Sequence, residues 1–370
     1  MNIAILTQPI CNNYGGILQN FALQTVLERM GHNVITLNYP INNRYSGNII
    51  RHLLSIGKRT IKKIYGEPGI IWVDIAKESR MQIKLAHLQK AFLDKYLHLQ
   101  NITPPITKEQ VSNLNIDTFI VGSDQTWRPR YNKYLENLFL DFTEDMGVKR
   151  IAYAASFGTD KWEYSPEQTD RCSQLANKFD AISVREASGI DLCRNNLGVD
   201  AVQMLDPTLL LSADEYLSLC SEHEYTEGDY IAVYTLDYTK EKLTLLNDIS
   251  KKLNTPLHFI GRFTKQGYPS VESWIEGIAH AKYVITDSFH GTVFSMIFER
   301  QFVSLGNSTR GNSRFDSLFK TFNIPKERLT NNIDEIVQSL QTNIDYDSVN
   351  MVKSEWQEVS SQFLKKALNN

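Results

Sequence analysis

The segment from Tyr283 to Phe298 constrains the fold more than any other. An apolar run, Tyr283-Val284-Ile285-Thr286, stops at Asp287, passes through Ser288-Phe289-His290-Gly291, and resumes as Val293-Phe294-Ser295-Met296-Ile297-Phe298. That pattern reads as a buried strand, a tight loop and a helix. The chain opens in the same way. Residues 2–7 form an apolar strand, 8–16 a polar glycine-bearing loop, 17–30 a helix ended by Gly31, and 34–37 a second strand. Further strands are expected at 118–121, 151–155, 181–184, 201–205, 230–234, 257–260, 283–286 and 302–305, with helical spacing at 240–253, 271–281 and 292–300. Strands that alternate with helices form parallel sheets, so the expected fold is α/β with two Rossmann-like, doubly wound domains. The expected division is 1–185, 186–345, and a terminal helix over 346–370. That helix carries Val352, Trp356, Val359 and Phe363, and is expected to pack back on the first domain.

At 370 residues the chain is long enough for two ordinary cores. Its net charge of −3 gives no basic field for nucleic acid. The four cysteines, Cys11, Cys172, Cys193 and Cys220, form no Cys-x-x-Cys pair, which fits reduced thiols in a cytoplasm. No apolar run approaches the roughly 18 residues of a membrane span. One segment departs from the average: residues 51–95 hold ten Lys/Arg against four Asp/Glu, interleaved with aliphatic residues and Trp72. A basic amphipathic insert suits peripheral contact with the inner face of an anionic membrane, and equally the solvated face of a helical insertion.

The polar residues that follow the strands are the candidates for chemistry, because ligands in open α/β folds bind outside the carboxyl ends of strands. After the first strand comes Asn13-Tyr14-Gly15-Gly16, whose adjacent glycines permit close backbone approach but lack dinucleotide-binding spacing. Gly122-Ser123-Asp124-Gln125 with Trp127 follows the 118–121 strand. Asp124 is either a base or a helix cap, and Trp127 offers a flat face for a pyranose ring. Arg185 closes the 181–184 strand, as an ion-pair partner or as a clamp for carboxylate or phosphate. Asp206-Pro207-Thr208 reads as a turn or hinge, and Arg314 is a second candidate cation. His290, beside a helix N-terminus that favours anions, is placed to take a proton from a hydroxyl. Asp287 and Ser288 precede it, Ser288 as the natural cap.

Six ordered blocks then make the chain resemble the polysaccharide pyruvyl transferase family: Asn13-Tyr14-Gly15-Gly16 with Gln19, Val121 to Gln125 with Trp127, Tyr153 to Gly158, Ser183 to Glu186, Asp206 to Thr208, and Thr286 to Gly291. The resemblance implies two domains facing across a GT-B-like cleft, with phosphoenolpyruvate as donor. It implies as acceptor a hydroxyl pair on a surface glycan or its lipid-linked precursor. It also associates an arginine like Arg185 and a histidine like His290 with the donor site. On this reading His290, Asp124 and Asp287 are catalytic, and Arg185, Ser288, Gly291 and Arg314 bind the donor. Asn13, Tyr14, Gly15, Gly16, Ser123, Gln125 and Trp127 bind the acceptor. No step calls for a metal or other cofactor. Two alternatives share much of this pattern: a GT-B glycosyltransferase with a nucleotide-sugar donor, and a non-catalytic sugar- or phosphate-binding protein.

Overall fold

The computed structural model describes residues 1–10, 13–39, 89–220, 228–262, 268–306 and 311–369. The basic segment expected from residue 51 lies outside the described residues as far as residue 88. The first domain holds a seven-stranded parallel sheet in the order β3-β2-β1-β4-β5-β6-β7. Its strands are β1 (Asn2–Leu6), β2 (Asn33–Asn38), β3 (Leu99–Asn101), β4 (Thr118–Val121), β5 (Lys149–Ala155), β6 (Ala181–Val184) and β7 (Val202–Gln203). The second holds a four-stranded parallel sheet, β11-β10-β8-β9, built from β8 (Gly228–Tyr234), β9 (Leu257–Phe259), β10 (Ala281–Thr286) and β11 (Gln301–Ser304). Because β7 pairs with β6, the first sheet continues past the boundary expected at residue 185.

Both sheets are covered on both faces, as parallel sheets require. In β1, Ile3 and Ile5 face one core with Leu23 and Leu27, while Ala4 and Leu6 face another with Phe119 and Trp127. The second sheet divides in the same way. Ile231, Val233, Ile285 and Val303 pack on Leu246 and Ile336, and Ala232, Val284 and Phe302 pack on Trp274 and Phe294. The terminal helix (Tyr346–Asn369) sets Leu364, Ala367 and Leu368 against Ile3, Ile5 and Ile151 of the first sheet. Val359, expected on its apolar face, is 46% exposed and points away from that core.

Helix α1 (Tyr14–Arg29) joins the two domains. Leu23 and Leu27 belong to the first domain's core, whereas Tyr14, Ile17, Leu18 and Ala22 belong to the core that includes Trp274 and Phe294. A helix buried on nearly every side carries little amphipathic signal and suits a central position. Its N-terminus is thereby fixed against the N-terminus of α2 (Phe289–Ile297) in the second domain. The topological switch points, between β1 and β4 in one sheet and between β8 and β10 in the other, open onto one shared cleft.

Candidate active site

The cleft has a volume of about 790 Å³ and is walled by residues that follow six strands. Gln8, Asn13 and Tyr14 follow β1, and Asp124 and Gln125 follow β4. From the second domain, Tyr234 ends β8, Thr235 and Tyr238 follow it, and Gly261 and Arg262 follow β9. Asp287 to His290 follow β10, and Gly311 and Arg314 follow β11. This volume is of the size that holds a small-molecule ligand.

Helix α2 begins three residues earlier than its apolar pattern suggests, because Ser288 caps it: its Oγ accepts from the Gly291 N–H at 3.4 Å. His290 therefore stands in the first turn and is 5% exposed. Its Nε2 lies 3.4 Å from Asp206 Oδ2. Its other nitrogen, Nδ1, occupies space that any side chain at position 15 would fill; a Cβ on Gly15 would stand 2.1 Å from it. Glycine at 15 is thus a requirement of the first domain's close approach to the histidine.

Asp206 ties the site together. Its Oδ1 accepts from Thr208 N–H at 3.0 Å and from Thr208 Oγ1 at 2.7 Å. Its Oδ2 receives Arg185 Nη1 at 2.6 Å and Ser123 Oγ at 3.3 Å. Arg185 also reaches Asp124 Oδ1 with Nη2 at 3.3 Å. Burial works to raise both carboxyls, but it is outweighed in each. His290 and Arg185 hold Asp206 well below the usual carboxylate range, and Arg185, His290 and Arg314 hold Asp124 low. Asp124 adopts φ +68°, a left-handed conformation that is uncommon outside glycine and that an aspartate tolerates better than most residues.

Arg314 differs from Arg185. It is 7% exposed and lines the cleft, its Nε has no hydrogen-bond partner, and it forms no ion pair among the described residues. Its guanidinium carbon lies 5.6 Å from the centroid of the Phe289 ring, and that of Arg185 lies 4.3 Å from the same centroid. Burial, with Arg185 nearby, pushes the Arg314 guanidinium down to about 10. A buried cation with no direct ion pair is expensive even with Asp124 and Glu186 in its field, and a bound anion lowers the expense.

The other candidates divide between the cleft wall and the layer behind it. Asn13, Tyr14, Gln125, Asp287 and Ser288 line the cleft. Asp287 is held by the Leu236 N–H at 2.7 Å and by Lys242 Nζ at 2.7 Å, which fixes the β8 loop beside the end of β10. Gly15, Gly16, Ser123, Arg185 and Gly291 stand behind the wall. Ser123 accepts at its carbonyl from Thr7 Oγ1 at 3.0 Å and donates its N–H to Gln19 Oε1 at 2.9 Å. Gly291 leaves room for Thr286, whose Oγ1 a Cβ there would meet at 2.2 Å. Trp127 corrects the sequence reading. It is fully buried, stacked on Phe139 at 4.8 Å and donating from Nε1 to the Leu138 carbonyl, so it presents no face to a sugar. An indole beside a strand end fits core and cleft equally well by sequence. Sequence reasoning also missed Tyr234, Thr235, Tyr238 and Arg262, although the strand-end rule that found Asp124 applies to each.

A family model described as polysaccharide pyruvyl transferase matches residues 13–309. No curated protein matches the sequence. Among solved structures, the chain is similar to UGT89C1 of Arabidopsis thaliana complexed with UDP-L-rhamnose, with a TM-score of 0.54, 10% identity, and 99% of this chain and 97% of that one covered. It is similar to the UDP-GlcNAc 2-epimerase of Neisseria meningitidis bound to UDP-GlcNAc, with a TM-score of 0.53, 9% identity, and 100% and 99% covered. The UDP co-structure of S. aureus MnaA gives a TM-score of 0.51 at 11% identity, with 100% and 97% covered. At such identities the likeness establishes the GT-B arrangement of two domains across a cleft and nothing about the ligand.

Proposed function

Because the chain belongs to the polysaccharide pyruvyl transferase family, we propose that it moves a pyruvyl group from phosphoenolpyruvate onto two hydroxyls of a glycan sugar as a ketal. The observation that carries this reading is Arg314: a buried guanidinium with no ion pair among the described residues, in a cleft with a helix N-terminus and a histidine. Phosphoenolpyruvate is a small polyanion, and such a ligand supplies the direct ion pair that Arg314 lacks. Donor N–H groups at the start of α2 add to the same attraction.

In the reaction, one sugar hydroxyl adds to C2 of the enol and gives up its proton while C3 gains one and becomes methyl. The C2–O bond to phosphate then breaks, and phosphate leaves with the electron pair. The second hydroxyl adds at C2, and its proton completes the balance on phosphate. His290 accepts the hydroxyl proton, a role that typically contributes about 10²–10⁴-fold. Asp206 Oδ2, 3.4 Å from Nε2, stabilises the imidazolium that forms. Asp124, kept ionised at the cleft wall, is placed to hold an acceptor hydroxyl. Asp287 acts through the β8 loop it anchors, and Arg185 acts by keeping the two carboxylates in register. The donor's supply places the reaction in the cytoplasm.

The test is the glycan of cells that lack the chain. Acid-labile pyruvate should vanish from their surface polysaccharide, return with the wild-type chain, and stay absent with His290→Ala. Unchanged pyruvate in the deleted strain would overturn the proposal.

A further inference from the structure

One buried carboxylate beside the site takes no part in this chemistry. Glu186 follows Arg185 at the end of β6, is fully buried and stands behind the cleft wall. Its Oε1 accepts from the Phe157 N–H at 2.8 Å and from the Gly158 N–H at 3.0 Å. Its Oε2 has no hydrogen-bond partner, and Glu186 forms no ion pair among the described residues. A glutamine oxygen could accept the same two bonds, so the turn at 157–158 does not need the charge. Burying a charge without a partner is costly, which points to a neighbour that uses its field. That neighbour is Arg314. The turn held by Glu186 packs on the loop after β11: a Cβ on Gly311 would stand 2.8 Å from the Gly158 carbonyl oxygen. Arg314 comes three residues later, in the helix Ser313–Thr321, whose Ser317 Oγ accepts from the Ala187 N–H at 2.9 Å. Contacts before and after Arg314 thus lead back to Glu186 and to the residue that follows it. Burial and Arg185 push the Arg314 guanidinium down, and Asp124 and Glu186 oppose them. Asp124 is shared with Arg185, whereas Glu186 is bonded to backbone N–H groups alone.

We propose that Glu186 tunes the anion site: its fixed negative charge partly offsets the Arg314 guanidinium from behind, holds anion affinity down and lets phosphate leave. Glu186 touches no ligand and acts through Arg314, so it is not a catalytic residue. Carboxylates outnumber guanidiniums in the cluster, with Asp124, Asp206 and Glu186 against Arg185 and Arg314. A site that takes up one phosphate-bearing anion and sheds phosphate at every turnover gains nothing from holding both equally tightly. Calling these anions donor and product rests on the pyruvyl-transfer reading, whereas the offset of Arg314 does not.

Isothermal titration of the full chain, Glu186→Gln and Glu186→Asp with inorganic phosphate, and separately with phosphoenolpyruvate, tests this beside thermal melting. Glu186→Gln keeps an acceptor for both N–H groups and removes the charge, so it is expected to fold with Tm unchanged or raised. It should bind phosphate and phosphoenolpyruvate about three- to tenfold more tightly than wild type. Glu186→Asp keeps the charge and should bind both as wild type does. A residue with a merely structural role would instead lower Tm and leave anion affinity unchanged or weaker. Phosphate affinity that is unchanged, weaker or unmeasurable in both wild type and Glu186→Gln would overturn the proposal. So would equal tightening in Glu186→Asp, which would assign the effect to the turn. A Glu186→Gln chain that does not fold would overturn it too, because the charge would then be needed by the fold. If phosphate tightens as expected while phosphoenolpyruvate binds none of the three proteins, the tuning stands and the pyruvyl-transfer reading fails.

Discussion

Replacing Gly15 by alanine puts a methyl carbon 2.1 Å from His290 Nδ1, 2.3 Å from Cγ and 2.7 Å from Cβ. Ordinary contact needs roughly 3.5 Å, so the imidazole must retreat by about 1.4 Å. It cannot do so freely: the ring meets Phe289 edge-on at 5.4 Å and has Asp206 at its other nitrogen. Overpacking of this kind costs about 1–3 kcal/mol. At about 2.1 cal/mol/K of unfolding entropy per residue, that is a fall of roughly 1–4 °C in Tm for a chain of this length. The chemical cost is larger, because a misplacement of about 1 Å costs on the order of 10²-fold and the whole acid–base contribution is about 10²–10⁴-fold. Gly15→Ala should therefore lose between those factors in kcat while binding phosphoenolpyruvate almost normally, since Arg314 is untouched. Gly147→Ala is the control, because a Cβ at Gly147 meets nothing within 4 Å. Pyruvyl transfer, donor titration and thermal melting on the three proteins check this. A folded Gly15→Ala with kcat within about twofold of wild type would refute the assignment of His290 as a group held in place by that contact.

Arg314→Met keeps the stem and removes a buried charge that has no direct ion pair among the described residues, so calorimetry should show donor affinity lost by about tenfold or more while Tm holds or rises. A Tm lowered by several degrees would show that the cation is satisfied in the free protein. Asp206→Asn strands the buried Arg185 with one carboxylate and should destabilise by about 3–5 kcal/mol in denaturant at pH 7. Asp206 is held below its unfolded value, so its contribution is present above about pH 3.9 and is lost as pH falls further. The gap between wild type and Asp206→Asn should accordingly narrow only below about pH 4.

The strands were legible because buried parallel strands are short continuous apolar runs. Thr118–Val121 and Ala181–Val184 have the expected limits, as does the helix Lys240–Leu253. Leu99–Asn101 was not legible, since a three-residue edge strand with two polar side chains carries no apolar signal. The strand at Val202–Gln203 lies within the expected 201–205, but a two-residue strand carries no signal of which sheet it joins, so the first sheet's extension past residue 185 was not legible. In the site, the strand-end rule found His290, Asp124, Arg185 and Arg314 without indicating how charge is shared among them. That sharing depends on Asp206, which reads in sequence as a turn, yet its carboxylate draws in Arg185 and His290 and leaves Arg314 alone.

The most direct test of pyruvyl transfer is a calorimetric titration of the wild-type chain, His290→Ala and Arg314→Met with phosphoenolpyruvate. Saturable binding to wild type and His290→Ala, and its loss in Arg314→Met, is the predicted result. No phosphoenolpyruvate binding to the folded wild-type chain at millimolar concentration would contradict the account.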